Sequence, residues 1–480
     1  MKNILMKLLM FLILALFAAS CSKSPVKLEF SVLDSVYNVA GVDYDADYCK
    51  MQILENPQDK DSKVIDIPVI RIRTGSKQPG APVFILNDGP GYSNFVKIMP
   101  TWLVENHDVI IIGYRGVDGA VNLNLPELNH ITQNSNFLSD ANLNLAAKAF
   151  EKGFNKLADS LEIDLSQYNI VNMAYDLESA RLAFQYEKIN IFAVGFGGRI
   201  AQIYSKIAPN AVFRIMMERP KAYGSLALNS QLIENVMEFY NPVAREINNN
   251  TGFSQNIIRT LSSLPKEHNG HVFDKDKIVY STFSLLETLH GAALVNEAFL
   301  SAGNGDYESL KYLEELYSEF YPAFNFGDYA IKSATCEYEP KMDYSNAFSY
   351  NSINSIGSPL AKFVFAVIQK SGFKTEILPV KLSNPDSLAG ECLMITANLD
   401  LTAPFELAEF ELKPKYSNAV SIILSDYNSQ DLHTYNITAY SDLISNFLYS
   451  GNYKSYIPEM KLINLKPEKT LKQLAMERIQ

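Results

Sequence analysis

"NIFAVGFGGRIAQIY", residues 190 to 204, runs a string of apolar residues into a glycine turn and out again into a helical pattern. A short continuous apolar run reads as a strand buried on both faces, and the glycines at 195, 197 and 198 allow a sharp turn and a closely packed helix. Runs of the same kind recur in "APVFILN" (81–87), "DVIIIGY" (108–114), "KINIFAV" (188–194), "VFRIMM" (212–217), "CLMITAN" (392–398) and "VSIILS" (420–425). Helical patterns lie between them at 141–161, 171–186, 199–206, 406–411 and 441–449. Such alternation predicts an α/β fold with a mainly parallel central sheet and helices on both faces. Upstream, Val26 to Asp34 and Tyr48 to Thr74 alternate apolar and polar residues and read as antiparallel strands. One segment breaks the pattern: from 222 to 384 the periodicity is helical, which predicts a helical cap inserted between two core strands.

Composition sets the limits of what the chain is. It has 480 residues, of which 47% are hydrophobic and 20% charged, too apolar for disorder and long enough for one large core with an insertion. Lys2 and Lys7 precede the apolar run LLMFLILALFAA, which is too short for a stable span and ends in small residues before Cys21. Residues 1–20 therefore read as an export signal. Ala18-Ala19-Ser20-Cys21 resembles the bacterial lipobox, whose cysteine is acylated and becomes the new N-terminus. This implies a chain held on a membrane of the bacterial cell envelope, the outer membrane first, facing periplasm or exterior. Cleavage removes two lysines and no acid, taking the net charge from −11 to −13, and so acidic a chain repels nucleic acid. The six histidines are scattered, so the pattern calls for no metal and no cofactor. Beyond Cys21 there remain Cys49, Cys336 and Cys392, an odd number that leaves at least one thiol unpaired.

The domain plan follows: 1–20 signal, 21–46 tether and first strand, 47–221 first part of the core, 222–384 cap, and 385–480 second part of the core. Within it, "LNDGPGYSN" (86–94) follows an early core strand, and its glycines let backbone N–H groups converge as an oxyanion site requires. "GYRGVDG" (113–119) follows the next strand, and "ITANLDLTAP" (395–404) ends a late strand with Asp400. His433 comes later, in "SQDLHTY". The order of elbow, acid and histidine along the chain is that of α/β-hydrolases.

The stretch from about Cys49 to His433 resembles the prolyl and tripeptidyl aminopeptidase-like branch of the α/β-hydrolase fold, in its exported or lipid-anchored form. "CKMQILENP", "NDGPGYS", "GYRGVDGA", "AFLSAGNGDYESL", "ATCEYEP" and "ANLDLTAP" carry the likeness, in the family's order and with the cap in the family's place. Laying the family's Gly-x-Ser-x-Gly-Gly elbow on the chain puts Gly195 at the nucleophile position, with Asp400 and His433 as the remaining triad positions. Asp88, Gly89 and Phe196 fall in the oxyanion region, where Asp88 places a carboxylate beside the developing negative charge. The family's cap glutamate falls on Tyr338, leaving Glu337 and Glu339 as candidate contacts for a ligand amine. The cysteines that the family would pair with Cys49 and Cys336, near Leu125 and after the cap, are absent.

A glycine supplies no atom for a triad to activate, so the resemblance implies a degenerate hydrolase that binds a peptide or protein in the cleft between core and cap. Two other readings stay open at this point: an active hydrolase with a displaced nucleophile, for which Ser93, Ser205 and Ser225 are the nearby hydroxyls, and an envelope structural lipoprotein. Asp400 and His433 are either a working pair or inherited structure.

Overall fold

The computed structural model describes residues 27–30, 35–39, 41–95, 101–320, 325–374, 376–428, 430–431, 437–454 and 462–479. Cys21, the 1–20 segment and His433 lie outside the described residues. No described helix is long and apolar enough to cross a membrane.

One sheet of ten strands organises the chain. Antiparallel strands open it: β1 (Lys27–Phe30), β2 (Ser35–Val39), β3 (Val42–Leu54) and β4 (Val64–Ile72). The parallel part follows with β5 (Val83–Leu86), β6 (Val109–Ile112), β7 (Ile189–Val194) and β8 (Val212–Glu218). After a small hairpin, β9 (Glu267–His268) with β10 (His271–Val272), the sheet closes with β11 (Glu391–Ala397) and β12 (Ala419–Leu424). The spatial order is β1-β3-β4-β6-β5-β7-β8-β11-β12, with β2 paired to β3. Every pairing from β6 to β12 is parallel.

The continuous apolar runs still divide by the strand's two-residue period. Phe84, Ile110, Ile191 and Met217 enter one apolar cluster, under the helices Asp140–Leu161, Ile170–Ala183 and Phe196–Ile207. Ile85, Ile111, Phe192 and Met216 enter another on the opposite face, with Tyr440, Leu443 and Phe447 of the helix Ile437–Ser450. Burial on both faces is why these strands show no polar alternation. β12 departs from the expectation of a doubly buried strand: it is the sheet's last strand, and Ile423 is 41% exposed. Helix starts follow local chemistry; the Asn169 side chain accepts from Asn172 N–H at 3.0 Å and caps Ile170–Ala183.

Between β8 and β11 the chain builds the inserted helical region, with the β9–β10 hairpin as its strand pair among the described residues. Ile233, Tyr240, Ile257 and Val279 form its own apolar cluster, which Leu465 and Leu471 of the C-terminal stretch join. The helix Phe326–Glu337 fastens this region to the sheet. Gly91 N–H donates to Asp328 Oδ2 at 2.9 Å, and buried Lys332 Nζ donates to the Arg115 carbonyl at 2.9 Å while pairing with Asp328. These bonds place the insertion over the loops that follow β5 and β6.

Candidate functional site

β5 lies between β6 and β7 although it precedes both, so the direction of winding reverses there. In open parallel sheets the crevice at such a point, beyond the strands' carboxyl ends, is where ligands bind. Asp88 follows β5, Gly195 follows β7, Arg219 follows β8 and Asp400 follows β11. All four meet at that crevice.

Gly195 is the turn between β7 and the helix Phe196–Ile207, with φ +50° and ψ −112°, a conformation that residues with a Cβ rarely adopt. It is tied from both sides: its N–H donates to the Glu218 carbonyl at 2.9 Å, and its own carbonyl accepts from Lys221 N–H at 3.0 Å. Gly197 lets the helix lie against β5, where a side chain would meet the Leu86 Cβ at 2.8 Å. A strand, a strained single-residue turn and a helix, set in this strand order, make the nucleophile elbow of one architecture. The chain has the α/β-hydrolase fold.

No protein-family profile matches the chain, and no curated protein matches it in sequence. Solved structures are similar to it. A serine hydrolase from Cycloclasticus zankles is 11% identical with a TM-score of 0.36, over 83% of this chain and 97% of that one. A thermophilic esterase from Thermogutta terrifontis is 11% identical with a TM-score of 0.36, over 85% and 99%. A proline iminopeptidase from Mycobacterium smegmatis is 13% identical with a TM-score of 0.35, over 81% and 95%.

The space at the elbow is filled from elsewhere in the chain. A Cβ on Gly195 would stand 2.5 Å from Asp88 Oδ2 and closer still to Oδ1 and Cγ, so the Asp88 carboxylate lies where a nucleophile's side chain would begin. Its Oδ1 accepts from Phe196 N–H and from Gly89 N–H, each at 2.8 Å. These are the two backbone donors that the sequence marks as an oxyanion site. Asp88 therefore takes both amides itself.

Two cations hold it there. Lys221 Nζ stands 3.0 Å from Asp88 Oδ1 and donates to the Gly89 carbonyl at 2.9 Å. Arg219, in the left-handed region at φ +47°, lies 3.8 Å from Asp88 Oδ2, 3.3 Å from Asp400 Oδ2 and 3.5 Å from Glu218 Oε1. Burial pushes the Asp88 carboxyl up, but the Lys221 and Arg219 cations and the two N–H donors outweigh it and hold the group below its usual range. Burial pulls the Arg219 guanidinium down, and the Asp400, Asp88, Glu218 and Glu287 carboxylates more than reverse this. The guanidinium thus stands between Asp400 and Asp88, the carboxylate beside the Gly195 turn.

Asp400 is fully buried, and its Oδ1 accepts from Thr402 N–H at 2.8 Å, Thr402 Oγ1 at 2.7 Å and Ala403 N–H at 3.1 Å. Capping this turn is one task, and pairing Arg219 is the other. Glu337 and Glu339 do not reach the cleft. Glu337 is buried and accepts from Leu226 N–H and Ala227 N–H, each at 2.9 Å, with Arg199 at 3.6 Å; Glu339 is exposed. Loop N–H groups needing an acceptor thus take the carboxylate that the sequence offered to a ligand amine. Besides Asp88, the acid that lines the cleft is Glu287, whose carboxyl burial pushes up.

The cleft itself is a cavity of about 680 Å³ between the strand ends and the inserted helices. Asp88, Lys221, Arg219 and Glu287 give it a charged floor, and Tyr280, Phe283 and Leu360 give it apolar walls. Ser93 and Ser225 also line it, while Ser205 Oγ donates to the Ala389 carbonyl; none stands at the elbow turn. Cys49, Cys336 and Cys392 are buried free thiols. Among the described residues no three His, Cys, Asp or Glu side chains are grouped to hold a metal ion. Arg219 and Lys221 are what sequence reasoning missed, and "ERPK" (218–221) was their signal: charge concentrated immediately after a buried strand.

Proposed function

We propose that the chain is a pseudo-hydrolase: a lipid-anchored protein of the bacterial cell envelope that binds a peptide or protein segment in the cleft between sheet and cap, without serine hydrolysis. The observation that carries this is the Asp88 carboxylate lying against Gly195 and taking both Gly89 N–H and Phe196 N–H. Acyl transfer needs a nucleophile at that turn and free donors for a developing oxyanion. Here the nucleophile's position carries no side chain, and the donors are saturated by a fixed negative charge, which would repel a second one. A persistent cavity of about 680 Å³, within the range of small-ligand sites, supports retained binding. The motifs "NDGPGYS", "GYRGVDGA" and "ANLDLTAP" support descent from the prolyl and tripeptidyl aminopeptidase-like branch, hence a peptide as ligand. The 1–20 segment and Cys21 support export and attachment through acyl chains, most simply at the outer membrane.

The test is fluorophosphonate labelling of the purified mature chain, with hydrolysis of prolyl-, alanyl- and tripeptidyl-aminocoumarin substrates followed alongside. The expected result is a folded protein with neither label nor turnover. Stoichiometric labelling of one serine, with turnover, would replace this reading by that of a hydrolase with a relocated nucleophile.

A further inference from the structure

Two N–H donors and two cations converge at the floor of the cavity around one carboxylate. Gly89 N–H and Phe196 N–H reach Asp88 Oδ1 at 2.8 Å, Lys221 Nζ stands 3.0 Å from it, and Arg219 stands 3.8 Å from Oδ2. They come from three separate places: the loop after β5, the first turn of the Phe196–Ile207 helix, and the segment after β8. Paired N–H groups with two cations are the chemistry that recognises a planar carboxylate.

The donors are held independently of the group they bind. Lys221 Nζ also donates to the Gly89 carbonyl, Arg219 is also held by Asp400, and the Phe196 amide belongs to a helix whose turn is fixed through Gly195. Removing the Asp88 side chain therefore leaves a formed site with an empty centre. We infer that this is a carboxylate-binding subsite occupied by the chain's own Asp88, and that Asp88 sets the cleft's selectivity by excluding ligand anions from its floor. A tethered carboxylate acts at an effective concentration that is millimolar or higher, so dilute free carboxylates do not displace it. A ligand of the intact chain accordingly turns neutral or cationic groups toward Asp88 and Glu287.

The inference deepens the pseudo-hydrolase reading and can fail separately from it. Labelling and turnover would end that reading while leaving carboxylate binding untouched, whereas failure below ends only the subsite. The measurement is thermal unfolding of the mature chain in detergent against sodium formate, with sodium chloride at equal ionic strength as the reference. Asp88→Ala is expected to unfold at lower temperature than the wild type in chloride, and to gain a saturable rise in Tm with formate in the millimolar range. Wild type and Asp88→Asn, whose side chains fill the site, are expected to rise no further in formate than in chloride. If Asp88→Ala does not fold in chloride, its refolding yield against formate becomes the readout, and saturable recovery is the supporting result. No formate-specific response of Asp88→Ala by either readout, or an equal response in wild type, overturns the subsite.

Discussion

Gly195→Ala puts the reading of the elbow to a quantitative test. The new Cβ would sit 2.5 Å from Asp88 Oδ2 and nearer to Oδ1 and Cγ, against an ordinary contact of 3.4 Å or more, so the carboxylate must retreat by roughly an ångström. A shift of that size breaks at least one of its 2.8 Å bonds to Phe196 N–H and Gly89 N–H. Each charge-assisted bond contributes about 1.5–3 kcal/mol. An alanine held at φ +50° and ψ −112° costs a further ~1–3 kcal/mol of backbone strain. The expected loss is about 2.5–6 kcal/mol, at the high end for one methyl group. In an Asp88→Ala background the obstructing atoms are gone and only the strain of ~1–3 kcal/mol remains. The double-mutant cycle should therefore show a coupling of about 1.5–3 kcal/mol, read by urea unfolding followed by circular dichroism. A loss below ~1 kcal/mol for Gly195→Ala, or the same loss in both backgrounds, would refute the claim that Asp88 fills the nucleophile's place.

Two further outcomes follow from the same cluster. Gly195→Ser meets the same carboxylate, so the restored hydroxyl is expected to take no fluorophosphonate label; stoichiometric labelling of the single mutant would show that the donors and a base are still available. Because the Asp88 carboxyl is held below its usual range, its contribution is fully present above the ordinary unfolded value of about 4 and is lost as pH falls through the lower folded value. The stability gap between wild type and Asp88→Asn should thus be constant from neutral pH down to about 5 and shrink below about 4; a gap that widens on acidification contradicts the assigned ion pairs.

Much of the molecule was legible in its residues because it depends on neighbours in the chain. Doubly buried strands such as Val83–Leu86 and Ile189–Val194 leave continuous apolar runs, and an elbow leaves its glycines at 195, 197 and 198. β12 misled for a related reason, since an edge strand can carry the same apolar run as a central one. Glu337 misled because it flanks Tyr338, where the family's cap glutamate falls, whereas the amides of Leu226 and Ala227, more than a hundred residues earlier, take it for themselves.

The sequence by itself determined the sheet, the inserted helices, the turn at Gly195 and the want of a side chain there, all of which follow from local periodicity and backbone freedom. What filled that want was decided only in three dimensions. Residues 88, 195, 219 and 400 are far apart along the chain and meet because β5, β7, β8 and β11 end on the same edge of one parallel sheet. A charge finds its partner by distance in space, so the Asp88 carboxylate on the Gly89 and Phe196 amides, and Arg219 between it and Asp400, are properties of the assembled strand ends.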